Sequence, residues 1–285
     1  MYKEVGISSN NVPITLSIWY TERSCPTIVF LPGTMSHPLM YENFLCGLSE
    51  RGFNIIGVHY LSHGKSPKIK KNYTMEDLLH NVYDATTYGI ENFGENIAVM
   101  GSSQGGILAV MAAGRDTRLK AVFPHNIMLT TLKETMSLTK YPAWTHRFMG
   151  LIQWGFRVGG KLLPNYKVPG DAYLDYNKVF YSEQAKQDCL NDPMLLPYYP
   201  LRFIASLFNA DLSCLENGSI QCPVILITAK GDPLFSFDYT NKVFDLIHAP
   251  QKELLTLELN RHMIFNEDTD TTINALEPTL HKYLG

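Results

Sequence analysis

The chain has 285 residues, of which 45% are hydrophobic and 18% are charged, and its formal net charge is −3 at pH 7. This composition predicts a globular protein with one large domain, or one such domain that carries an insertion, and it excludes a disordered chain. The small negative charge gives no electrostatic reason to bind nucleic acid or an anionic membrane.

The cysteines and the apolar runs indicate the compartment. The five cysteines are odd in number and lack CxxC spacing, which predicts neither a zinc site nor a disulfide framework. No apolar signal core follows Met1, and no run approaches the ~20 apolar residues of a membrane span. We therefore expect a cytoplasmic protein in a reducing compartment, without stable membrane insertion.

Apolar runs closed by Gly or Pro alternate with helical periodicity in the first part of the chain. They predict strands at 5–8, 14–21, 27–31, 54–60, 97–100 and 119–123. Helices are expected at 41–51 and 74–93, and a third is expected from Gly106. Gly52 suits the end of the first helix, Thr74 and Asp77 resemble a capping box at the start of the second, and a polar loop spans 61–72.

The alternation stops after Asn126 and returns near residue 218. Residues 127–217 contain no run with clear strand signals but show two helical stripes, through Trp144, Phe148, Leu151 and Ile152 and through Leu201, Ile204, Leu207 and Phe208. Strands follow at 224–228 and 253–259, with helices at 239–248 and 270–283. The pattern predicts an α/β core, 1–126 and 218–285, with a mostly parallel sheet of eight strands and a helical segment inserted at 127–217.

The run Gly-Ser-Ser-Gln-Gly-Gly that begins at Gly101 joins a strand to a buried helix with almost no loop. Such a short connection needs a sharp, strained turn, and small residues two positions before and after the apex let strand and helix pass closely. Ser103 occupies the apex, whereas Ser102 lacks glycines at both flanking positions. The turn directs helix amides at the hydroxyl, so we expect Ser103 to be a catalytic nucleophile.

A serine nucleophile needs a base, and the base needs an acid to fix its tautomer. Asp232 and His262 directly follow the last two predicted strands, in that order. Because the carboxyl ends of parallel strands meet at one edge of the sheet, we expect Asp232 to orient His262 beside the serine. Asp211 and Asp238 are weaker candidates for the acid by their positions.

Two backbone amides are needed to hold the oxyanion that forms on the substrate. One is expected from Gln104, directly after the serine, and the other from the loop that follows the strand at 27–31, with Thr34 ahead of Met35. The residues expected to line the substrate pocket are Met35, His125, Trp144 and Phe148. A structural, hydrogen-bonded role stays equally open for His125, and His63 is expected to be a structural anchor.

The Gly-Ser-Ser-Gln-Gly turn, the Gly-Asp-Pro acid loop, the Asn-Arg-His-Met base loop and the His-Gly-Lys-Ser turn together resemble the α/β-hydrolase superfamily over essentially the whole chain. The chain is most similar to capped serine hydrolases of the monoacylglycerol lipase, lysophospholipase and carboxylesterase kind. This resemblance implies a helical cap at 127–217 and neither a metal nor an organic cofactor. The chain departs from it at Pro32, where many relatives have His, and at Gln104, where lipase-like relatives often have Met.

The expected activity is hydrolysis of a carboxylic ester of an acyl-chain or lipid-like type, such as a monoacylglycerol or lysophospholipid, through an acyl-enzyme on Ser103. A thioester, an amide or a carbon–carbon bond suits the same residues, and a ligand-binding protein without turnover is the alternative from another class. Transient contact with a lipid surface is a further role for the cap, although no basic face supports it; the aromatic residues concerned are Trp144, Phe148, Trp154 and Phe156. The oligomeric state stays open.

Overall fold

The computed structural model describes residues 1–69 and 72–285, so that Lys70 and Lys71 of the predicted loop lie outside the described residues. The strands are β1 (Tyr2–Ser9), β2 (Val12–Trp19), β3 (Thr27–Leu31), β4 (Asn54–His59), β5 (Ile97–Ser102), β6 (Ala121–His125), β7 (Lys167–Val168), β8 (Tyr199–Pro200), β9 (Val224–Ala229) and β10 (Lys252–Leu257). The α-helices are α1 (Glu42–Glu50), α2 (Met75–Phe93), α3 (Gln104–Ala113), α4 (Met149–Leu162), α5 (Tyr176–Val179), α6 (Glu183–Leu190), α7 (Leu201–Leu207), α8 (Phe237–Leu246), α9 (Ile264–Glu267) and α10 (Thr269–Leu284). Short 3₁₀ segments lie at Pro38–Tyr41, Lys133–Leu138, Ala143–Phe148, Gly170–Ala172 and Ser213–Leu215.

Eight strands form one sheet in the order β1-β2-β4-β3-β5-β6-β9-β10. The β1–β2 and β2–β4 pairs are antiparallel, and every other pair in this sheet is parallel. This confirms the predicted mostly parallel sheet of eight strands. The parallel strands β3, β5, β6 and β9 therefore end at one edge, and the residues that follow them meet there.

Both faces of the sheet are covered, which explains why its central strands are continuous apolar runs. Along β3, Ile28 and Phe30 point into one hydrophobic layer while Val29 and Leu31 point into the other. Helices α1 and α10 pack together over the first layer, and α2 and α3 pack together over the second. Helix α3 is buried along its whole length, in agreement with its uniformly apolar sequence.

The local signals for helix ends are confirmed where side-chain chemistry sets them. Thr74 accepts the N–H of Asp77, and the Asp77 carboxylate accepts the N–H of Thr74, so both bonds of a capping box begin α2. Gly52 follows α1 with a φ of 90°, a left-handed conformation that glycine adopts without strain.

Two expectations about strands need correction. Pro124 was expected to end β6, but the strand continues through it to His125. The His125 carbonyl still accepts the Ser103 N–H, and the Asn126 N–H donates to the Ile227 carbonyl of β9. The segment 127–217 contains the antiparallel pair β7–β8. Each of these strands has only two residues, too few to produce a periodic signal.

Candidate active site

Ser103 lies between the end of β5 and the start of α3 with a φ of 51° and a ψ of −110°. This conformation is strained for a residue with a side chain, so the surroundings must impose it. The glycines on either side allow the close passage: a Cβ on Gly101 would collide with the Gly105 backbone, and one on Gly105 would collide with the Leu31 carbonyl. A hydrogen bond of 2.9 Å from the Ser103 N–H to the His125 carbonyl anchors the turn to β6.

Asp232 and His262 come together in the loops after β9 and β10. Oδ2 of Asp232 lies 2.9 Å from Nδ1 of His262 and accepts a second bond of 2.9 Å from Nδ2 of Asn126. Oδ1 accepts the N–H groups of Leu234 and Phe235 at 2.8 and 2.9 Å. Burial by itself would raise the pKa of Asp232, but His262 and the Phe235 N–H lower it below its usual value, so the carboxylate is ionised.

The ionised carboxylate fixes the state of the His262 ring. Because a carboxylate only accepts hydrogen bonds, Nδ1 of His262 carries the proton and Nε2 is left with a free lone pair. The ring is 2% exposed and stacks on Phe235 with ring centres 5.5 Å apart. His262 and Ser103 line the same cavity, and among the described residues no hydrogen bond yet joins them. Such contacts often form only when substrate is bound.

The backbone amides near Ser103 are not equally available. The Gly33 N–H donates to the Tyr41 hydroxyl at 3.2 Å, and the Met35 N–H donates to the Tyr199 hydroxyl at 2.8 Å. The Thr34 N–H between them has no partner among the described residues. The Gln104 N–H, in the first turn of α3, is unpaired within the same described part of the chain. Thr34, rather than Met35, therefore has a free donor beside the serine.

Two cavities meet at Ser103. The first, here the His262 cavity, is also lined by Met35, Tyr176, Phe180 and Leu190. The second, here the Gln104 cavity, does not include His262 and is lined by Ile107, Leu138, Tyr173, Leu207 and Phe208. Thr34, Leu174 and Leu234 border both. None of the described residues that line either cavity is Asp, Glu, Lys or Arg, so the walls are mostly apolar and contain no acidic or basic side chain other than His262.

His125 lies beside the Asp232–His262 pair but lines neither cavity. Its ring is 1% exposed, its Nε2 lies 3.0 Å from Nδ2 of Asn126, and its centre is 5.5 Å from the His262 ring. Burial lowers its pKa to about 3, so the ring is neutral. These contacts favour the structural role over the pocket-lining one.

The ligand atoms of His125, Asp232 and His262 lie within 4.8 Å of one another, a spacing that a metal also tolerates. Oδ2 of Asp232, however, already accepts hydrogen bonds from two donors.

The aromatic residues of the insertion differ in their exposure. Trp144 and Phe148 are 61% and 43% exposed and line neither of these two cavities. Leu151 of the same stripe is also exposed while Ile152 packs on the core, whereas the stripe of α7 is largely buried. Phe156, expected at a lipid surface, packs instead on Phe208 with ring centres 4.9 Å apart. An amphipathic pattern identifies an apolar face but not what covers it.

Sequence reasoning missed two residues that support the site. Asn126 bridges Asp232 and His125, and its φ of 62° is tolerated well by asparagine; its position after β6 was a usable signal. Tyr199 bonds the Met35 N–H from 164 positions away. No local pattern could have identified that contact.

Three features together define the α/β-hydrolase class. The sheet is mostly parallel, and its central strand turns sharply at a serine into a buried helix. An aspartate follows the second-last strand and orients a histidine that follows the last. The family model described as serine aminopeptidase, S33 matches residues 22–269. The chain therefore belongs to this family of hydrolases. No curated protein sequence matches the chain.

Solved structures share the fold at low sequence identity. The monoacylglycerol lipase of Paleococcus ferrophilus is 19% identical, with a TM-score of 0.78 over 95% of this chain and 99% of that one. A soluble variant of the Saccharomyces cerevisiae monoglyceride lipase is 17% identical, with a TM-score of 0.77 over 99% of this chain and 95% of that one. A Bacillus coagulans carboxyl esterase is 13% identical, with a TM-score of 0.75 over 100% and 99%. Within the described residues, no helix has the length and apolar character needed to cross a membrane.

Proposed function

We propose that this protein is a serine hydrolase that cleaves neutral carboxylic esters with an apolar acyl group, through an acyl-enzyme on Ser103. The observation that carries this proposal is a strained serine and a histidine at one cavity, with an ionised aspartate bonded to Nδ1 of that histidine. The known activities of the structural neighbours, which include monoacylglycerol lipases and a carboxyl esterase, agree with it.

The proposed reaction follows from the proton positions. Nε2 of His262 accepts the hydroxyl proton of Ser103 as its oxygen attacks the ester carbonyl, and Asp232 stabilises the imidazolium that forms. The N–H groups of Gln104 and Thr34 hold the oxyanion, because both lack other partners among the described residues. His262 then returns the proton to the leaving alcohol, and water repeats the sequence on the acyl-enzyme.

The two cavities suggest where each half of the substrate binds. His262 must reach the leaving oxygen, so the alcohol belongs in the His262 cavity and the acyl chain in the Gln104 cavity, which His262 does not border. The uncharged walls favour a neutral ester such as a monoacylglycerol over a charged lysophospholipid. They also disfavour a peptide N-terminus, because a buried ammonium group needs a charged partner. An aminopeptidase activity is therefore not the one we propose, despite the family description.

The segment 127–217 has the position of a cap in this proposal. It supplies most of the apolar wall of the Gln104 cavity through Leu138, Tyr173, Leu207 and Phe208. Tyr176, Val179 and Phe180 do the same for the His262 cavity. Without this segment the carboxyl edge of the sheet would be open to water, so the insertion gives the site its affinity for apolar groups.

The exposed side of the cap supports transient contact with an anionic lipid surface. Trp144, Leu151 and Trp154 are 61%, 62% and 57% exposed. Residues 135–170 contain five Lys or Arg and no Asp or Glu, and Arg157 is exposed on the same helix as Trp154. Exposed aromatics beside positive charges suit the boundary between lipid headgroups and acyl chains.

The test is hydrolysis of p-nitrophenyl esters from acetate to palmitate by the wild type, Ser103→Ala and Ser102→Ala. Ser102 is the matched control, because it is the adjacent serine but lies buried in β5. Turnover and fluorophosphonate labelling that only Ser103→Ala abolishes would support the proposal. Absence of both in the wild type would overturn it and leave a ligand-binding protein. Labelling without ester turnover would direct the assay to thioesters, amides and carbon–carbon bonds.

A further inference from the structure

Met35, the neighbour of Thr34, has a backbone conformation that its surroundings must hold. Its φ of 63° lies in the left-handed region, which is unfavourable for a residue with a side chain. Its N–H donates to the Tyr199 hydroxyl at 2.8 Å, and its carbonyl accepts the Leu196 N–H at 2.9 Å. Both partners belong to the insertion, so the insertion fixes the backbone that carries the free Thr34 amide.

The hydroxyl of Tyr199 is itself fixed from the other side. It is fully buried and lies 3.0 Å from Nε2 of His63, whose Nδ1 lies 2.8 Å from the Leu61 carbonyl. A carbonyl only accepts, so Nδ1 of His63 carries the proton and Nε2 accepts the proton of Tyr199. Burial lowers the pKa of His63 to about 4, which keeps the ring neutral and able to accept. The hydroxyl can therefore donate its proton to His63 while its oxygen accepts the Met35 N–H, and the Gln104 side chain is a further polar neighbour of this hydroxyl.

These bonds form one chain that ends at Met35, the residue next to the candidate oxyanion donor Thr34. It runs from the Met35 N–H through Tyr199 and His63 to the Leu61 carbonyl. We infer that Tyr199 is a positioning residue that holds the loop after β3 so that the Thr34 N–H faces the oxyanion on the substrate. This inference rests on the proposed ester hydrolysis. It assigns Tyr199 an effect on the rate of that reaction, although Tyr199 does not touch the substrate.

The test is Tyr199→Phe, which removes the hydroxyl and keeps the ring that stacks on Phe203 with centres 4.1 Å apart. We expect kcat for p-nitrophenyl esters to fall roughly 10- to 100-fold while KM stays within about twofold, because the donor acts in the transition state. A trifluoromethyl ketone that forms an oxyanion on Ser103 should bind more weakly by the same factor. An amide analogue of the substrate, which forms no oxyanion, should bind unchanged.

Tyr73→Phe is the matched control. Tyr73 is buried in the same cluster, packs on Phe203 with centres 5.4 Å apart and, within the described residues, has a hydroxyl without a partner. It should keep kcat within about twofold of the wild type. A similar loss in both variants would show a general packing effect and overturn the inference, as would an unchanged kcat in Tyr199→Phe.

His63→Gln tests the far end of the chain if Tyr199→Phe does not fold. We expect a smaller fall in kcat, again with KM retained, because the acceptor for the Tyr199 proton is displaced. An unchanged kcat in a folded His63→Gln protein would overturn the inference. If the inference about Tyr199 fails, the proposed function still stands as long as the wild type hydrolyses esters and Ser103→Ala abolishes that activity. An inactive wild type would instead contradict the proposed function.

Discussion

Lowering the pH from 7 to 5 should destabilise this protein strongly, because burial holds three histidines in the neutral form in the folded state. His59 and His63 are fully buried, and His125 is 1% exposed. Burial lowers the pKa of His59 and of His125 to about 3 and that of His63 to about 4. The hydrogen bonds of His59, to the Ser17 hydroxyl and from the Lys65 N–H, are those of a neutral ring.

The direction follows from the difference in pKa between the two states. Each ring has a pKa near 6.5 when unfolded, so the unfolded chain binds more protons as the pH falls below that value. The stability that depends on the neutral rings is complete above about pH 6.5 and is lost as the pH falls towards 4 and 3. The carboxylate of Asp232 does not add to this loss between pH 7 and 5, because its lowered pKa acts only below its unfolded value of ~3.9.

The magnitude follows from about 1.4 kcal/mol per pKa unit. At pH 5 each unfolded ring is about 1.5 units below its pKa, which lowers the free energy of unfolding by about 2 kcal/mol per ring. Three rings give about 6 kcal/mol, which is comparable with the whole stability of a typical domain, roughly 5 to 15 kcal/mol. His37, whose pKa is also lowered by burial, acts in the same direction.

The assay is urea unfolding at pH 7, 6 and 5, with the m-value checked for constancy. His59→Asn, away from Ser103, should remove about a third of the dependence on pH, whereas His80→Gln should not, because His80 is exposed. A wild-type change of less than about 2 kcal/mol between pH 7 and 5 would refute the reasoning, since a single buried neutral histidine would already produce that much.

Three further outcomes are expected. Asp232→Asn should lower kcat for ester hydrolysis by about 10³- to 10⁴-fold, because an amide favours the wrong tautomer of the histidine; a loss below tenfold would contradict the role proposed for Asp232. Gly105→Ala should cost more than about 2 kcal/mol in urea unfolding because its Cβ meets the Leu31 backbone, whereas Gly150→Ala, with open space around it, should be neutral or stabilising. Trp154→Ser should reduce co-sedimentation with vesicles containing 30% phosphatidylglycerol, and equal binding to neutral vesicles would argue against the basic contribution.

The strands, the helix starts and the elbow were predictable from the sequence because short-range forces set them. Apolar runs buried on both faces identified β3, β5 and β9, and side-chain chemistry at Thr74 identified the start of α2. The elbow was predictable because only glycine at 101 and 105 lets the strand and the helix pass at backbone contact.

The meeting of Asp232 and His262 was predictable for a different reason. Both follow parallel strands directly, and parallel strands end at the same edge of the sheet. Their order along the chain therefore carried spatial information, although the 2.9 Å contact between them required the structure.

The sequence by itself determined the sheet, the serine at its sharpest turn and the edge at which its candidate partners lie, because backbone sterics and strand topology fix these. Only the tertiary structure decided that Thr34, and not Met35, keeps a free N–H, since the competing acceptor is Tyr199 in a distant segment. It also decided that Trp144 and Phe148 stay largely exposed, because an apolar stripe shows which side of a helix is apolar but not which neighbour packing will bring to it.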